Sequence, residues 1–289
     1  MSSTISYVNG ELISSDLAAV SIFDHGFTVA DGVFETLKFT NGIPFAIDRH
    51  LNRLEKSCNG LGIKFPGYNL LNDAIKQVSQ VNSAINFGRM RITATSGLGP
   101  LGSDRSNGEF TLIISVAAQT TWPDTSGLLL VPWIRNERSP LVSVKTTSYA
   151  ENVYALAAAK SAGFDEAIFL NSKGQLTEGS GSNIFLVKNG TIFTPSFQSG
   201  LLKGVTRDLV IEWAKPHFEI CEESLSKQDL FTAQEVFITS STRDISPVDR
   251  IGQLTESSTI ENETEFQVGP ITQEIAKIFK ANSEVMTNP

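Results

Sequence analysis

The stretch from Lys145 to Arg207, KTTSYAENVYALAAAKSAGFDEAIFLNSKGQLTEGSGSNIFLVKNGTIFTPSFQSGLLKGVTR, constrains the fold more than any other part of the chain. Its apolar runs EAIFL and NIFLV are separated by glycine- and serine-rich turns, which predicts strands. The alanine-rich run from Tyr149 to Ala162, stopped by Gly163, predicts a helix. Three polar elements punctuate this frame: an amine, a carboxylate in a glycine and serine turn, and a Gly-Val-Thr that opens a helix.

VSVKTTS predicts a short β-branched strand with Lys145 near its end. A lysine that condenses with an aldehyde must be neutral to attack, which calls for burial or a nearby cation. Glu178, within Thr177–Asn183 (TEGSGSN), has the chemistry to face a ring nitrogen and hold a proton there. In LKGVTR, glycine lets the backbone approach an anion, the first amides of the following helix point at it, and Thr206 adds a hydroxyl. Singly, these also read as a solvated strand-end lysine, a polar turn and a routine helix entry. In this order they suit an aldehyde cofactor that carries a phosphate and a basic ring nitrogen.

The stretch resembles the class IV, or fold type IV, enzymes that use pyridoxal 5'-phosphate. That family includes branched-chain and D-amino-acid aminotransferases, (R)-amine transaminases and aminodeoxychorismate lyases. The resemblance is carried by Lys145, Thr177–Asn183, Thr194-Pro195 and Gly204–Arg207. Upstream, Asp24-His25-Gly26, Ala30-Asp31-Gly32 and Phe34-Glu35-Thr36 are similar to the family's DRG, GDG and FET pattern, with Ala30 in place of a glycine. The resemblance implies an α/β protein of two domains, a small α/β N-terminal one and a larger β-barrel-like C-terminal one, with the cofactor in the cleft between them. It further implies a homodimer whose active sites take residues from both subunits.

Roles follow residue by residue from the same resemblance. Lys145 is implied as the Schiff-base lysine and Glu178 as the partner of the pyridine nitrogen. Val205, Thr206 and Ser241 are implied for the phosphate, and Tyr149, Ser182, Asn183, Gly204 and Thr242 also for the cofactor. Arg53, in His50-Leu51-Asn52-Arg53-Leu54, is implied to grip the phosphate, a task that suits its planar fork. The implied reaction is a ping-pong transamination in which Lys145 shuttles a proton and an amino group passes from an amino acid or primary amine to a 2-keto acid. One alternative is an aminodeoxychorismate lyase, toward which the GLGPLGSDR loop and the ungapped KTTSYAEN run lean. Another is a cofactor-binding scaffold without activity.

Candidates for substrate contact are spread along the chain. Phe34, Thr36 and Lys38 share one side of a predicted strand, so Phe34 and Lys38 belong to a common face. Branched-chain enzymes usually carry arginine where this chain has Lys38. Arg105 sits in the glycine-rich loop GLGPLGSDRSNG, Arg135 precedes the lysine strand, and Arg243 lies in the loop SSTRDISPV.

QTTWPDTSG, residues 119–127, predicts a linker between an N-terminal domain, 1–118, and a C-terminal domain, 128–289. Asn9-Gly10 and Asn41-Gly42 predict hairpins, Asp48 a helix N-cap, Ser226 with Asp229 another cap, and Pro270 the start of a closing helix that leaves SEVMTNP loose. A net charge of −8 and a pI near 5.0 argue against a nucleic-acid surface. Cys58 and Cys221 make no disulfide framework or metal cluster, and His25, His50 and His217 share no metal or triad spacing and read as turn or core residues. With no leader at Met1-Ser2-Ser3 and no bilayer-length apolar run, a cytoplasmic protein without a membrane partner is expected.

Overall fold

The computed structural model describes residues 4–106 and 109–289; Met1-Ser2-Ser3, and Asn107 and Gly108 of the glycine-rich loop, lie outside the described residues. The chain divides into two units, one running to Thr121 and including Val144–Ser148 and Met286–Pro289, the other made of Trp122–Ser143 and Tyr149–Val285.

In the first unit, β1 (Ile5–Val8) and β2 (Glu11–Ser14) form a hairpin around Asn9-Gly10, both at positive φ, as a tight turn matched to strand twist requires. After α1 (His25–Thr28), β3 (Gly32–Thr40) turns through Asn41-Gly42 into β4 (Ile43–Pro44). Helices α2 (Ile47–Leu61) and α3 (Tyr68–Val81) follow, then β5 (Gly88–Thr95) and β6 (Thr111–Ala118). The sheet order is β2-β1-β6-β5-β3-β4, and every pairing is antiparallel. Alternation assigns each residue to a face. Val33, Leu37, Phe39, Met90, Ile92 and Ile114 pack with Leu51, Leu54, Leu71 and Val78 of the two helices in one core. Thr36 pairs with Arg91 and Lys38 with Arg89, so these residues and Phe34 share the opposite face.

Helix α2 starts differently from its sequence pattern. Asp48 lies in its first turn, and Ala46, at φ 56°, precedes it without a side-chain cap. The last residues of the chain take the capping role: Ala46 N–H donates to the Thr287 carbonyl at 2.7 Å and Asp48 N–H to Asn288 Oδ1 at 3.0 Å. Arg49 Nε also donates to the Pro289 carbonyl at 2.9 Å, so the tail is tied to this unit rather than loose.

The second unit runs through β7 (Ser126–Arg135), α4 (Ala150–Ser161), β8 (Glu166–Asn171), β9 (Leu176–Gly179), β10 (Asn183–Lys188), β11 (Thr191–Pro195) and α5 (Val205–Ala214). It continues with β12 (Ile220–Glu223), α6 (Lys227–Phe231), β13 (Glu235–Ser240), β14 (Asp244–Leu254), β15 (Ile260–Glu265) and α7 (Pro270–Val285). Its curled sheet has the order β12-β11-β10-β13-β14-β7-β8-β9, with β15 on β14, and mixes parallel pairs such as β7 with β8 and antiparallel ones such as β10 with β13. Leu128, Ile168, Ile184, Leu186, Val236 and Ile238 fill its core. Ser226 and Asp229 form a reciprocal capping box at α6, as the sequence pattern predicts.

Four further local expectations change. The segment VSVKTTS is not a strand; only Thr146 bridges to Val33, and Val144–Ser148 belongs to the first unit. Glu178 stands on β9 rather than in the turn that follows it. The reach from Asp244 through Val248 is strand, not loop, with Pro247 paired to Phe237. Strand β7 also begins inside the segment read as a linker.

Candidate active site

In the first unit the chemistry gathers on β3 and α2. Lys145 is held through its backbone: its carbonyl accepts the Phe34 N–H at 2.8 Å, and its own N–H donates to Ser57 Oγ at 3.1 Å. Its Nζ lies 4.6 Å from the centre of the Phe34 ring, which also carries the Arg91 guanidinium at 3.5 Å. Rigidity therefore comes from two foreign elements that clamp the lysine segment, not from a strand of its own. Arg53, one turn before Ser57 on α2, donates from Nε and Nη2 to the two oxygens of Glu35 at 2.8 and 2.7 Å. His50 Nδ1 is 2.7 Å from Glu35 Oε2. A carboxylate only accepts, so the imidazole proton is on Nδ1. Burial pushes the Glu35 carboxyl up, but Arg53 and His50 together bring it down to about 2, whereas burial holds the His50 imidazole below its ordinary value.

In the second unit the two glycine motifs interlock. Glu178 Oε2 accepts the Leu202 N–H at 2.9 Å, and Asn183 Nδ2 donates to the Leu202 carbonyl at 3.0 Å. Gly204 precedes α5 with no side-chain cap, which leaves the first amides of Val205 and Thr206 for an anion. A Cβ at Gly204 would lie 2.0 Å from Asn183 Oδ1, so a larger residue would displace the Asn183 amide. Two hydroxyl oxygens of the region, Ser182 Oγ and Thr239 Oγ1, are buried without a hydrogen-bond partner. Thr239 pairs with Asn183 across β13 and β10. Ser241 and Thr242 form the turn that links β13 to β14, and Tyr149 is the residue before α4. Uncapped amides, orphaned hydroxyls and a carboxylate beside them fit a group that brings phosphate oxygens and a protonated ring nitrogen.

The remaining sequence candidates acquire partners of their own. Arg135 Nε lies 3.7 Å from Glu178 Oε1, its Nη1 reaches Asn152 Oδ1 at 3.2 Å, and its guanidinium covers the Phe169 ring at 4.5 Å. Arg135 thus sets a positive charge beside the carboxylate, while its Nε and Nη2 are buried without a hydrogen-bond partner. Arg243 donates to Glu166 at 2.7 Å and stacks over Trp122 at 4.2 Å, and Glu166 also accepts from the backbone and hydroxyl of Ser180. Arg105 is bidentate on Asp31 and also reaches the Gly62 carbonyl at 3.1 Å. In both cases a carboxylate of the chain itself occupies the guanidinium that the sequence suggested for a substrate acid. Lys38 lies on the sheet face opposite the core, 4.9 Å from the Phe45 ring centre.

Sequence reasoning missed Glu35, Arg89 and Arg91. Glu35 was visible as a carboxylate at a core-facing parity position between Val33 and Leu37. Arg89 and Arg91 alternate in GRMRITAT and required only the strand register to meet Lys38 and Thr36. The histidines divide: His50 is part of the Glu35 network, and His25 is buried with Nε2 2.8 Å from the Pro100 carbonyl. Burial pushes the Cys58 thiol up to about 12, which makes it an inert core residue. Among the described residues no cluster of three metal-ligating side chains occurs, and no helix is long and apolar enough to cross a membrane.

Comparison with known proteins agrees with this geometry. A protein of Methanocaldococcus jannaschii that carries the provisional name branched-chain-amino-acid aminotransferase is 36% identical over 281 residues, covering 95% of this chain and 94% of its own. The aminodeoxychorismate lyase of Bacillus subtilis is 29% identical over 281 residues, covering 95% and 93%. The structure of the branched-chain aminotransferase from the archaeon Thermoproteus uzoniensis with norvaline superposes with a TM-score of 0.85 at 27% identity, covering 96% of this chain and 94% of that one. The model of the family described as amino-transferase class IV matches residues 32–251. With that match spanning Lys145, Glu178 and the Gly204–Thr206 turn, the chain belongs to the class IV aminotransferases, enzymes whose cofactor is pyridoxal 5'-phosphate.

Proposed function

We propose that this chain is a ping-pong transaminase that moves an amino group between an amino acid or primary amine and a 2-keto acid. The observation that carries the reading is the Lys145 amine set on the Phe34 ring on the sheet face opposite the core, beside Arg91 and along from Lys38 and Arg89. In a chain of net charge −8, the gathering of Lys38, Arg89, Arg91 and Lys145 on one side of the sheet supports an anionic substrate. When bound, pyridoxal phosphate supplies an aldehyde that bonds amines and a ring that takes up electrons from the substrate carbon. Val205, Thr206 and Ser241 would hold its phosphate and Arg53 would grip it, with Tyr149, Ser182, Asn183, Gly204 and Thr242 also given to the cofactor. Glu178 would hold the proton on the ring nitrogen. Lys145 would bond the aldehyde at rest and, as a neutral amine, would move the proton between the substrate carbon and the cofactor.

The second reading is an aminodeoxychorismate lyase, favoured by the likeness to the Bacillus subtilis lyase over nearly the whole chain. Absorbance of the cofactor-loaded enzyme, mixed with L- and D-amino acids, (R)-amines and aminodeoxychorismate in the absence of a keto acid, separates the two. Transamination is expected to convert the bound cofactor stoichiometrically to its amine form with at least one donor. Catalytic release of pyruvate from aminodeoxychorismate, with no conversion by any amine, would make the enzyme the lyase.

We further propose that two copies associate through the first unit. Ile22, Phe23, Phe27, Leu98 and Leu101 are exposed by 48 to 74%. They form one patch, because Asp24 bridges Leu98 and the Gly99 N–H donates to the Phe23 carbonyl at 3.1 Å. Such an apolar surface is costly in water and marks an interface. Light scattering is expected to give twice the 31.4 kDa chain mass, and Phe27→Asp to shift it to the single chain; a monomeric wild-type protein would refute the assembly.

A further inference from the structure

Glu35 is a fully buried carboxylate on the core side of β3. Its neighbours on that side, Val33, Leu37 and Phe39, are all core residues. A charge there carries a desolvation cost that a hydrophobic side chain of similar volume would avoid, so it calls for a purpose beyond packing. Its two oxygens take Nε and Nη2 of Arg53 in the side-on, two-bond arrangement, and Oε2 also takes the His50 proton. Two parallel bonds fix the plane of a guanidinium as well as its position. A single bond would leave Arg53 free to rotate about its own long side chain.

We propose that Glu35, oriented by His50, is a positioning residue that locks the Arg53 guanidinium in the orientation needed for the cofactor phosphate. The inference rests on the reading of Arg53 as a phosphate ligand. Helix α2 presents His50, Arg53 and Ser57 at spacings of three and four, along the side that meets β3 and the lysine segment. Glu35 bonds only the Arg53 and His50 side chains of this helix, whereas Lys145 is held by separate backbone bonds to Phe34 and Ser57. The consequence is specific to the phosphate. Loss of the clamp weakens recognition of pyridoxal 5'-phosphate and leaves pyridoxal, which has the same ring and aldehyde but no phosphate, unaffected.

The test is binding, not turnover. Apoenzyme of the full chain is titrated with pyridoxal phosphate and with pyridoxal, followed by quenching of intrinsic fluorescence. Glu35→Gln is expected to raise the Kd for pyridoxal phosphate about tenfold, with pyridoxal changed by less than about twofold. In an Arg53→Gln background, which removes the charge that Glu35 serves, Glu35→Gln is expected to add nothing further to the loss of selectivity. An equal rise in both Kd values, or a further selectivity loss in the double variant, overturns the inference. If Glu35→Gln does not fold, Glu35→Asp, which keeps the charge but withdraws it by one methylene, is expected to show the same selective loss, and an equal rise in both Kd values again overturns it. Arg53→Gln alone separates the two layers. Unchanged preference for the phosphorylated form in that variant defeats the phosphate role of Arg53 itself. Loss of preference in Arg53→Gln but not in a Glu35 variant defeats only the positioning role.

Discussion

Lys145→Ala is expected to abolish turnover, with kcat lowered on the order of 10³-fold or more. The amine sits at 4.6 Å from the Phe34 ring centre on a segment whose backbone is bonded on both sides, to Phe34 and to Ser57. Those bonds use only main-chain atoms of residue 145 and survive the substitution, so the folded protein is expected to melt as the wild type does. No neighbour can inherit the role. The Arg91 guanidinium against the same ring stays charged at all working pH values and can neither attack an aldehyde nor accept a proton. Steady-state rates, together with the visible absorbance of the protein incubated with pyridoxal phosphate, check this. A visible band in Lys145→Ala identical to that of the wild type would remove Lys145 from the centre of the mechanism.

Glu178→Gln is expected to lower kcat by on the order of 10²-fold while cofactor affinity changes much less. Its carboxylate is pinned by the Leu202 N–H at 2.9 Å and flanked by Arg135 at 3.7 Å, so the side chain is aimed and kept from rotating into solvent. A glutamine of the same shape can still accept the Leu202 bond, but it lacks the negative charge that favours a proton on the ring nitrogen. Without that proton the ring draws electrons from the substrate carbon less strongly, which slows proton removal by Lys145 and leaves binding largely alone. Rates measured against cofactor titrations on the same preparations separate these effects. Equal kcat in variant and wild type would assign Glu178 a purely structural part in holding the turn before α5.

How much of this was legible in advance depends on the range of the interaction involved. The Asn9-Gly10 and Asn41-Gly42 hairpins, the Ser226–Asp229 box and the glycine entry to α5 are interactions between residues within a few positions of each other, and the chain sequence specifies them directly. Helix α4 followed from its alanine run and the Gly163 stop for the same reason. The family was likewise legible in the order of Lys145, Glu178 and Gly204–Thr206, all of which fall within the matched residues 32–251.

Charge pairing was not. Arg53, Arg105, Arg135 and Arg243 each look alike in sequence, yet their partners Glu35, Asp31, Glu178 and Glu166 lie between 18 and 77 residues away. The same holds for the lysine segment, whose β-branched residues predict a strand but which bonds instead to β3 and α2. The sequence by itself thus determined the local turns, the caps and the inventory of reactive groups. Only the tertiary structure decided which carboxylates meet Arg53, Arg105, Arg135 and Arg243, and what holds Lys145. The reason is physical: local backbone preferences act over a few residues, whereas the partner of a charge is set by strand register and by which face of a helix meets which face of a sheet.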